Sequence, residues 1–131
     1  MSIKIRKYKR EDADNVMKII ELEGEEWAEY WKLGKAEMYR NALKKSITYV
    51  ADENGEICGY SRSIDDYACE IIVVDLLVTP RHRGKGLGSK LMEVLCEEYP
   101  QKQVYVMSDV DVFYKKQGYE KVGSVFQVKV S

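Results

Sequence analysis

The sequence predicts a mixed α/β domain: a central mixed sheet of about seven strands with helices on both faces. Three observations carry this. Ile3 to Lys7 alternates apolar and charged residues. Ile71-Ile72-Val73-Val74-Asp75-Leu76-Leu77-Val78 is an almost unbroken apolar run, as in a strand covered on both faces. Stretches before and after that run place apolar residues at helical spacing. A chain of 131 residues, 45% hydrophobic and 33% charged, fits one domain over residues 1–131, burying roughly two thirds of its unfolded surface.

The first strand is followed by a helix with Ala13, Val16, Met17 and Ile20 on one side and Glu11, Asp12 and Asp14 in its first turn, where the helix dipole favours acids. From Glu25 to Lys45 the pattern is helical but broken at Gly34, which predicts two short helices. Ile47 to Ala51, Asn54-Gly55 and Ile57 to Ser61 read as strand, tight turn and antiparallel strand. The apolar strand, Cys69 to Val78, ends at Pro80. A helix with Leu87, Leu91, Val94, Leu95 and Tyr99 then runs to just before Pro100. Val104 to Met107 is a further strand. Ser108 with Asp111 is expected to cap a helix that Gly118 closes, and strands at Tyr119 to Val122 and Val125 to Val130 are expected to finish the sheet.

A net charge of -1 and the lack of a long Lys/Arg cluster argue against nucleic acid as a partner. The N-terminus lacks the apolar region of a signal peptide and no apolar run is long enough to span a bilayer, so the chain is expected in the cytoplasm, away from membranes. Cys58, Cys69 and Cys96 form no CxxC pair, and His82 is the one histidine. This suggests neither a disulfide framework nor a metal site. The cysteines read as small hydrophobes and His82 as a loop residue, with a cysteine nucleophile as the alternative.

Between the apolar strand and the next helix lies Arg83-Gly84-Lys85-Gly86-Leu87-Gly88-Ser89. It is neither GxxxxGK followed by Ser or Thr nor GxGxxG, so both nucleotide fingerprints fail. A turn remains whose backbone N–H groups can converge on an anion, helped by a helix N-terminus and by Arg81, Arg83 and Lys85; a solvated basic turn is the plainer alternative.

Arg83-x-x-Gly86-x-Gly88, preceded by Leu76-Leu77-Val78-Thr79-Pro80, together with Phe113-Tyr114-Lys115-Lys116-Gln117-Gly118-Tyr119 downstream, resembles the two motifs of the GNAT superfamily of acetyl-CoA-dependent N-acetyltransferases. The resemblance covers the order of elements from Ile3 onward but not residues 21–45. It implies acetyl-CoA as co-substrate, held by the backbone N–H groups of Arg83, Gly84, Lys85, Gly86, Leu87 and Gly88, with the Ser89 hydroxyl adding a further contact. It implies that the preceding strand splays from the next parallel one to admit pantetheine. Leu76 would then polarise the acetyl carbonyl, Val78 would bind pantetheine, and Tyr114 would act as the acid that protonates the departing thiolate.

Asp75, the one charge in the apolar strand, has two readings: a base or amine-positioning group, or an acceptor of hydrogen bonds from a neighbouring loop. Relatives often carry Glu where this chain has Val74, so Glu70 or an ordered water is an alternative base. Nine acidic residues against three basic ones between Glu11 and Glu37, with Trp27, Tyr30 and Trp31, would suit a small-molecule or peptide amine, though a solvated helix face and a core give the same pattern. The expected reaction is direct attack by a primary amine on acetyl-CoA, with no metal and with room for a homodimer. The rivals are a non-catalytic acyl-CoA-binding module and a transferase acylated at Cys69 or Cys96.

Overall fold

A computed structural model describes residues 2–130. In chain order it contains β1 (Ile3–Lys7), α1 (Ala13–Glu23), a 3-10 segment (Glu25–Tyr30), α2 (Lys35–Lys45), β2 (Ile47–Glu53), β3 (Glu56–Asp65), β4 (Glu70–Val78), α3 (Leu87–Glu98), β5 (Gln103–Val106) and α4 (Asp111–Lys116). The strands lie in chain order in one mixed sheet, β1 to β4 antiparallel and β4 to β5 parallel. The β2–β3 turn is built on Asn54 and Gly55, both at positive φ (51° and 94°), the geometry that matches the twist of the flanking strands.

Each sheet face has its own core. On one, Val16, Met17 and Ile20 of α1 and Tyr39 and Leu43 of α2 pack on Val50, Ile57, Tyr60 and Leu77. On the other, Leu87, Leu91, Met92 and Leu95 of α3 pack on Tyr49, Ala51, Ile71 and Val73. Gly59 allows close approach between these layers, because a Cβ there would lie 3.0 Å from the Leu77 carbonyl oxygen and 3.3 Å from Leu91.

The apolar β4 run conceals a break in alternation. Arg62 pairs with Asp75 but Ser63 pairs with Val73, so Val74 is an extra residue, a β-bulge. Val73 consequently belongs to the α3-side core, while Leu77, four residues on, belongs to the α1–α2 side. Asp75 is thereby turned onto the α1–α2 face, beside Arg62.

The sheet has five strands among the described residues, not the expected seven. Residues 119–130 join no ladder, and Val122, Val125, Phe126, Val128 and Val130 stand 69–101% exposed. Alternating apolar residues mark a face that a strand can bury, but a strand also needs an edge to pair with. Between residues 25 and 45 one of the two expected helices is a 3-10 segment. Ser108 does not cap backbone: its hydroxyl donates to Asp111 Oδ1 at 2.7 Å, and α4 starts only at Asp111.

Candidate active site at the β4–β5 gap

The pairing of β4 with β5 covers only Glu70–Val73 against Gln103–Val106, closed by Met107 N–H donating to the Val73 carbonyl at 2.9 Å. Beyond the Val74 bulge, β4 pairs with no strand on that side among the described residues. Thr79 N–H donates to the Cys58 carbonyl of β3 at 2.9 Å, so strand alternation turns the N–H groups of Val78 and Leu76 away from β3, toward the vacated space. The Val78 carbonyl faces the same way and accepts from Arg83 Nε at 2.8 Å. The β4–β5 pairing thus stops short of the end of β4, with two backbone donors beyond it.

The glycine loop continues from this strand end. Gly84 and Gly86 both have φ of +78°, in the left-handed region, and a Cβ on either would meet no protein atom within 4 Å. Gly86 precedes α3 without a side-chain cap, leaving the first-turn donors of the helix for an anion. The expected cations are largely matched to acids instead. Arg81 pairs with Glu56 at 3.5 Å, and Arg83 pairs with Glu23 at 2.7 Å. His82, expected in a loop, is buried between Glu53 (2.8 Å to Nε2) and Thr79 (2.8 Å to Nδ1), and its hydrogen bond holds the Glu53 carboxyl below its usual range. The loop's capacity for an anion therefore rests on its backbone and on Lys85.

α4 docks on the start of α3, bringing the two sequence motifs together. Ser89 Oγ donates to Gln117 Oε1 at 2.5 Å, and the Phe113 ring lies 3.4 Å from the Cβ position of Gly88, beside Leu76. Tyr114 packs edge-on against Phe113 (centroids 5.0 Å apart) and parallel to Tyr119 (6.5 Å). It lines a cavity of about 930 Å³ with Ile72 and Val73 of β4 and Val106 and Met107, where the two strands part. Burial pushes its phenol up to about 12, so it holds its proton at neutral pH.

Asp75, 5% exposed, lies on the opposite face of the sheet. Its Oδ1 accepts from the Tyr30 hydroxyl at 2.8 Å, and its Oδ2 accepts from the Tyr39 hydroxyl at 2.7 Å and from Arg62 Nε at 2.6 Å. Tyr39 and Tyr60 hydroxyls are 2.6 Å apart, and the Arg62 guanidinium sits 5.2 Å from the Tyr39 ring centroid. Three of about four acceptor sites on the carboxylate are thus engaged. Burial lowers the Arg62 guanidinium, but its bond to and charge interaction with Asp75 outweigh this, giving a net rise. Burial and the Asp75 charge push the Tyr30, Tyr39 and Tyr60 phenols upward.

Of the residues expected to act together, Leu76 and Val78 follow the end of the β4–β5 pairing and lead into the Arg83–Ser89 loop, and Tyr114 lines the cavity at Val73 and Val106 where that pairing stops, while Asp75 faces a separate polar cluster. Glu70, the alternative base, sits at the far end of β4, paired with Gln103. Sequence reasoning missed Tyr30, Tyr39 and Arg62 as Asp75 partners. The signal was a lone carboxylate in an apolar strand, which requires a cation nearby, and Arg62 lies on the strand that precedes it in the hairpin. Cys58 is buried and Cys69 and Cys96 are exposed, with Cys96 on the cavity wall. No group of three or more metal-ligating side chains occurs among the described residues, and no helix there is long and apolar enough to cross a membrane.

Comparison with known proteins bears on this geometry. A soybean (Glycine max) protein named histone acetyltransferase TAP1 is 29% identical over 85 residues, covering 61% of this chain, which spans only 37% of that relative's length. The fold is similar to a GNAT-family acetyltransferase of Streptococcus pneumoniae (TM-score 0.74, 23% identity, 98% of this chain and 100% of that one). It is also similar to an aminoglycoside acetyltransferase from an uncultured soil metagenomic sample, solved with sisomicin (TM-score 0.73, 18% identity, 98% and 97%). A family model described as an acetyltransferase (GNAT) domain matches residues 44–121, from the end of α2 through the loop and Tyr114. With more than half its length in that match, the chain belongs to the GNAT acetyltransferase family.

Proposed function

We propose that this protein transfers acetyl from acetyl-CoA to a primary amine by direct attack. The observation that carries the reading is the pair of backbone donors, Leu76 and Val78 N–H, facing the gap that β5 leaves beside β4, next to the glycine loop. The pyrophosphate would lie against the N–H groups of the loop and the uncapped start of α3, with Lys85 supplying charge. Pantetheine would enter the gap along Val78, and the Leu76 N–H would stabilise the oxyanion.

In the reaction the amine nitrogen attacks the thioester carbonyl. A C–N bond forms, the C–S bond breaks, and the amine proton leaves to a base or to solvent. The thiolate takes the Tyr114 proton, which water replaces. An amine with an unperturbed pKa near ~10.4 must first lose a proton, so catalysis should rise with pH across the neutral range, with no falling limb from Tyr114 below about pH 10. The names of the relatives span a histone and an aminoglycoside, so spermidine, kanamycin, free lysine and a lysine-bearing peptide form the test panel.

Thiol release measured on that panel checks the reading, together with Tyr114→Phe, which should lower kcat roughly 100-fold while leaving acetyl-CoA affinity unchanged. Acetyl-CoA binding without turnover on any amine contradicts the reading and favours a non-catalytic acyl-CoA-binding module. Because Cys96 lines the cavity with Tyr114, an acyl-cysteine route is the competing mechanism. Direct attack requires that Cys96→Ala retain turnover.

A further inference from the structure

The glycine loop has little beneath it. A Cβ on Gly84 or Gly86 would meet no protein atom within 4 Å, so the path of the loop is set at its two ends rather than by packing under it. The far end is fixed by α3, whose first residue, Leu87, is buried in the α3-side core. The near end is the 3-10 turn Pro80–His82, and what holds it is polar. Thr79, just before the turn, is tied to β3: its N–H donates to the Cys58 carbonyl at 2.9 Å, and its hydroxyl lies 3.2 Å from the same oxygen. His82 is tied to β2, with Nε2 2.8 Å from Glu53 Oε1 and Nδ1 2.8 Å from the Thr79 hydroxyl. A carboxylate only accepts, so Nε2 carries a proton and donates it to Glu53; in the neutral ring Nδ1 then accepts from Thr79.

The neighbouring pairs are weaker anchors. Arg81 and Arg83 meet Glu56 and Glu23 with their own side chains 70% and 48% exposed, where an ion pair contributes little. The His82 and Glu53 side chains are only 5% and 12% exposed, so their bond is poorly replaced by water. The acetyl-transfer chemistry makes no use of this imidazole. We propose that His82 is a positioning residue for the donor: pinned between Glu53 and Thr79, it fixes the entrance of the glycine loop on the end of the β2–β3 hairpin and thereby sets acetyl-CoA affinity. This rests on the acetyl-transfer reading and gives the hairpin, which supplies no group to the gap, a share in donor binding. Leu76 and Tyr114 lie outside this chain of hydrogen bonds, so the chemical step is left as it is.

The test uses the full chain, with acetyl-CoA affinity read by calorimetric titration and kcat by thiol release on whichever amine of the panel the wild type turns over fastest. His82→Ala and Glu53→Ala should each weaken acetyl-CoA about tenfold, the loss expected for one hydrogen bond to a charged acceptor, with kcat at saturation within about twofold of wild type. The two side chains form one link, so the double variant should stay within about twofold of the weaker single one, and additive losses of about a hundredfold overturn the proposal. Glu53→Gln keeps an acceptor oxygen for Nε2 and should hold affinity within about threefold of wild type. A His82→Ala protein that loses urea stability but binds acetyl-CoA as before overturns the proposal, because the cluster is then only structural. So does a fall in kcat at unchanged affinity. Should His82→Ala not fold, Glu53→Ala against Glu53→Gln decides, and equal affinities there overturn it as well. Failure of the underlying reading looks different: the wild type then binds acetyl-CoA but turns over no amine, and the affinity comparison still decides the role of His82.

Discussion

The two faces of the β4 gap are built from different materials. On the α3 side the candidate donor site is mainly backbone: Leu76 and Val78 N–H, two glycines at positive φ and the uncapped first turn of a helix. On the α1–α2 side the cluster is entirely side chain, with Tyr30, Tyr39 and Arg62 converging on Asp75 from 45, 36 and 13 residues away in sequence. Backbone donors tolerate changes in neighbouring side chains so long as the chain path survives. A buried charge cluster tolerates few, because each partner removed leaves the others unpaired in a poorly solvated place.

The largest expected effect breaks the side-chain half alone. Asp75→Ala strands the Arg62 guanidinium and should cost roughly 3–5 kcal/mol of stability. Urea unfolding measures it, and acetyl-CoA affinity of the folded fraction should be unchanged.

A smaller effect comes from pH. Burial raises the Tyr30, Tyr39 and Tyr60 phenols above their ordinary 10, so the unfolded chain loses those protons first. The stabilisation is fully present below pH 10 and is lost as pH rises beyond it. Urea midpoints should hold from pH 7 to 9 and then decline, less steeply in Tyr39→Phe, which removes one of the buried phenols. The smallest effect belongs to the backbone half. Ser89→Ala removes one exposed hydrogen bond to Gln117 and should cost less than about 1 kcal/mol.

The same contrast decides what could be read in the sequence. The loop was legible because Arg83-x-x-Gly86-x-Gly88 encodes a chain path locally, and Tyr114 was legible through a second local motif. The strand, hairpin and helix from Ile47 to Glu98 followed from alternation, Asn54-Gly55 and the Leu87-Leu91-Leu95 stripe. The Val74 bulge was hidden, since an apolar run on both sides of a strand shows no loss of phase when one residue is inserted. The Asp75 partners were hidden because their contacts are set by tertiary packing, and Tyr30 and Tyr39 lie outside the matched residues 44–121. The last two expected strands failed for a related reason: Phe126, Val128 and Val130 alternate correctly, but in the structure they pair with no strand.

The account of the gap is tested most directly by one initial-rate surface, acetyl-CoA against amine, for wild type, Gly86→Val and Tyr114→Phe. Gly86→Val forces a β-branched residue into the left-handed region and should weaken acetyl-CoA roughly tenfold or more, with the amine KM unmoved. Tyr114→Phe should lower kcat and leave acetyl-CoA affinity unmoved. Unaltered acetyl-CoA affinity in Gly86→Val, or unaltered kcat in Tyr114→Phe, would contradict the account.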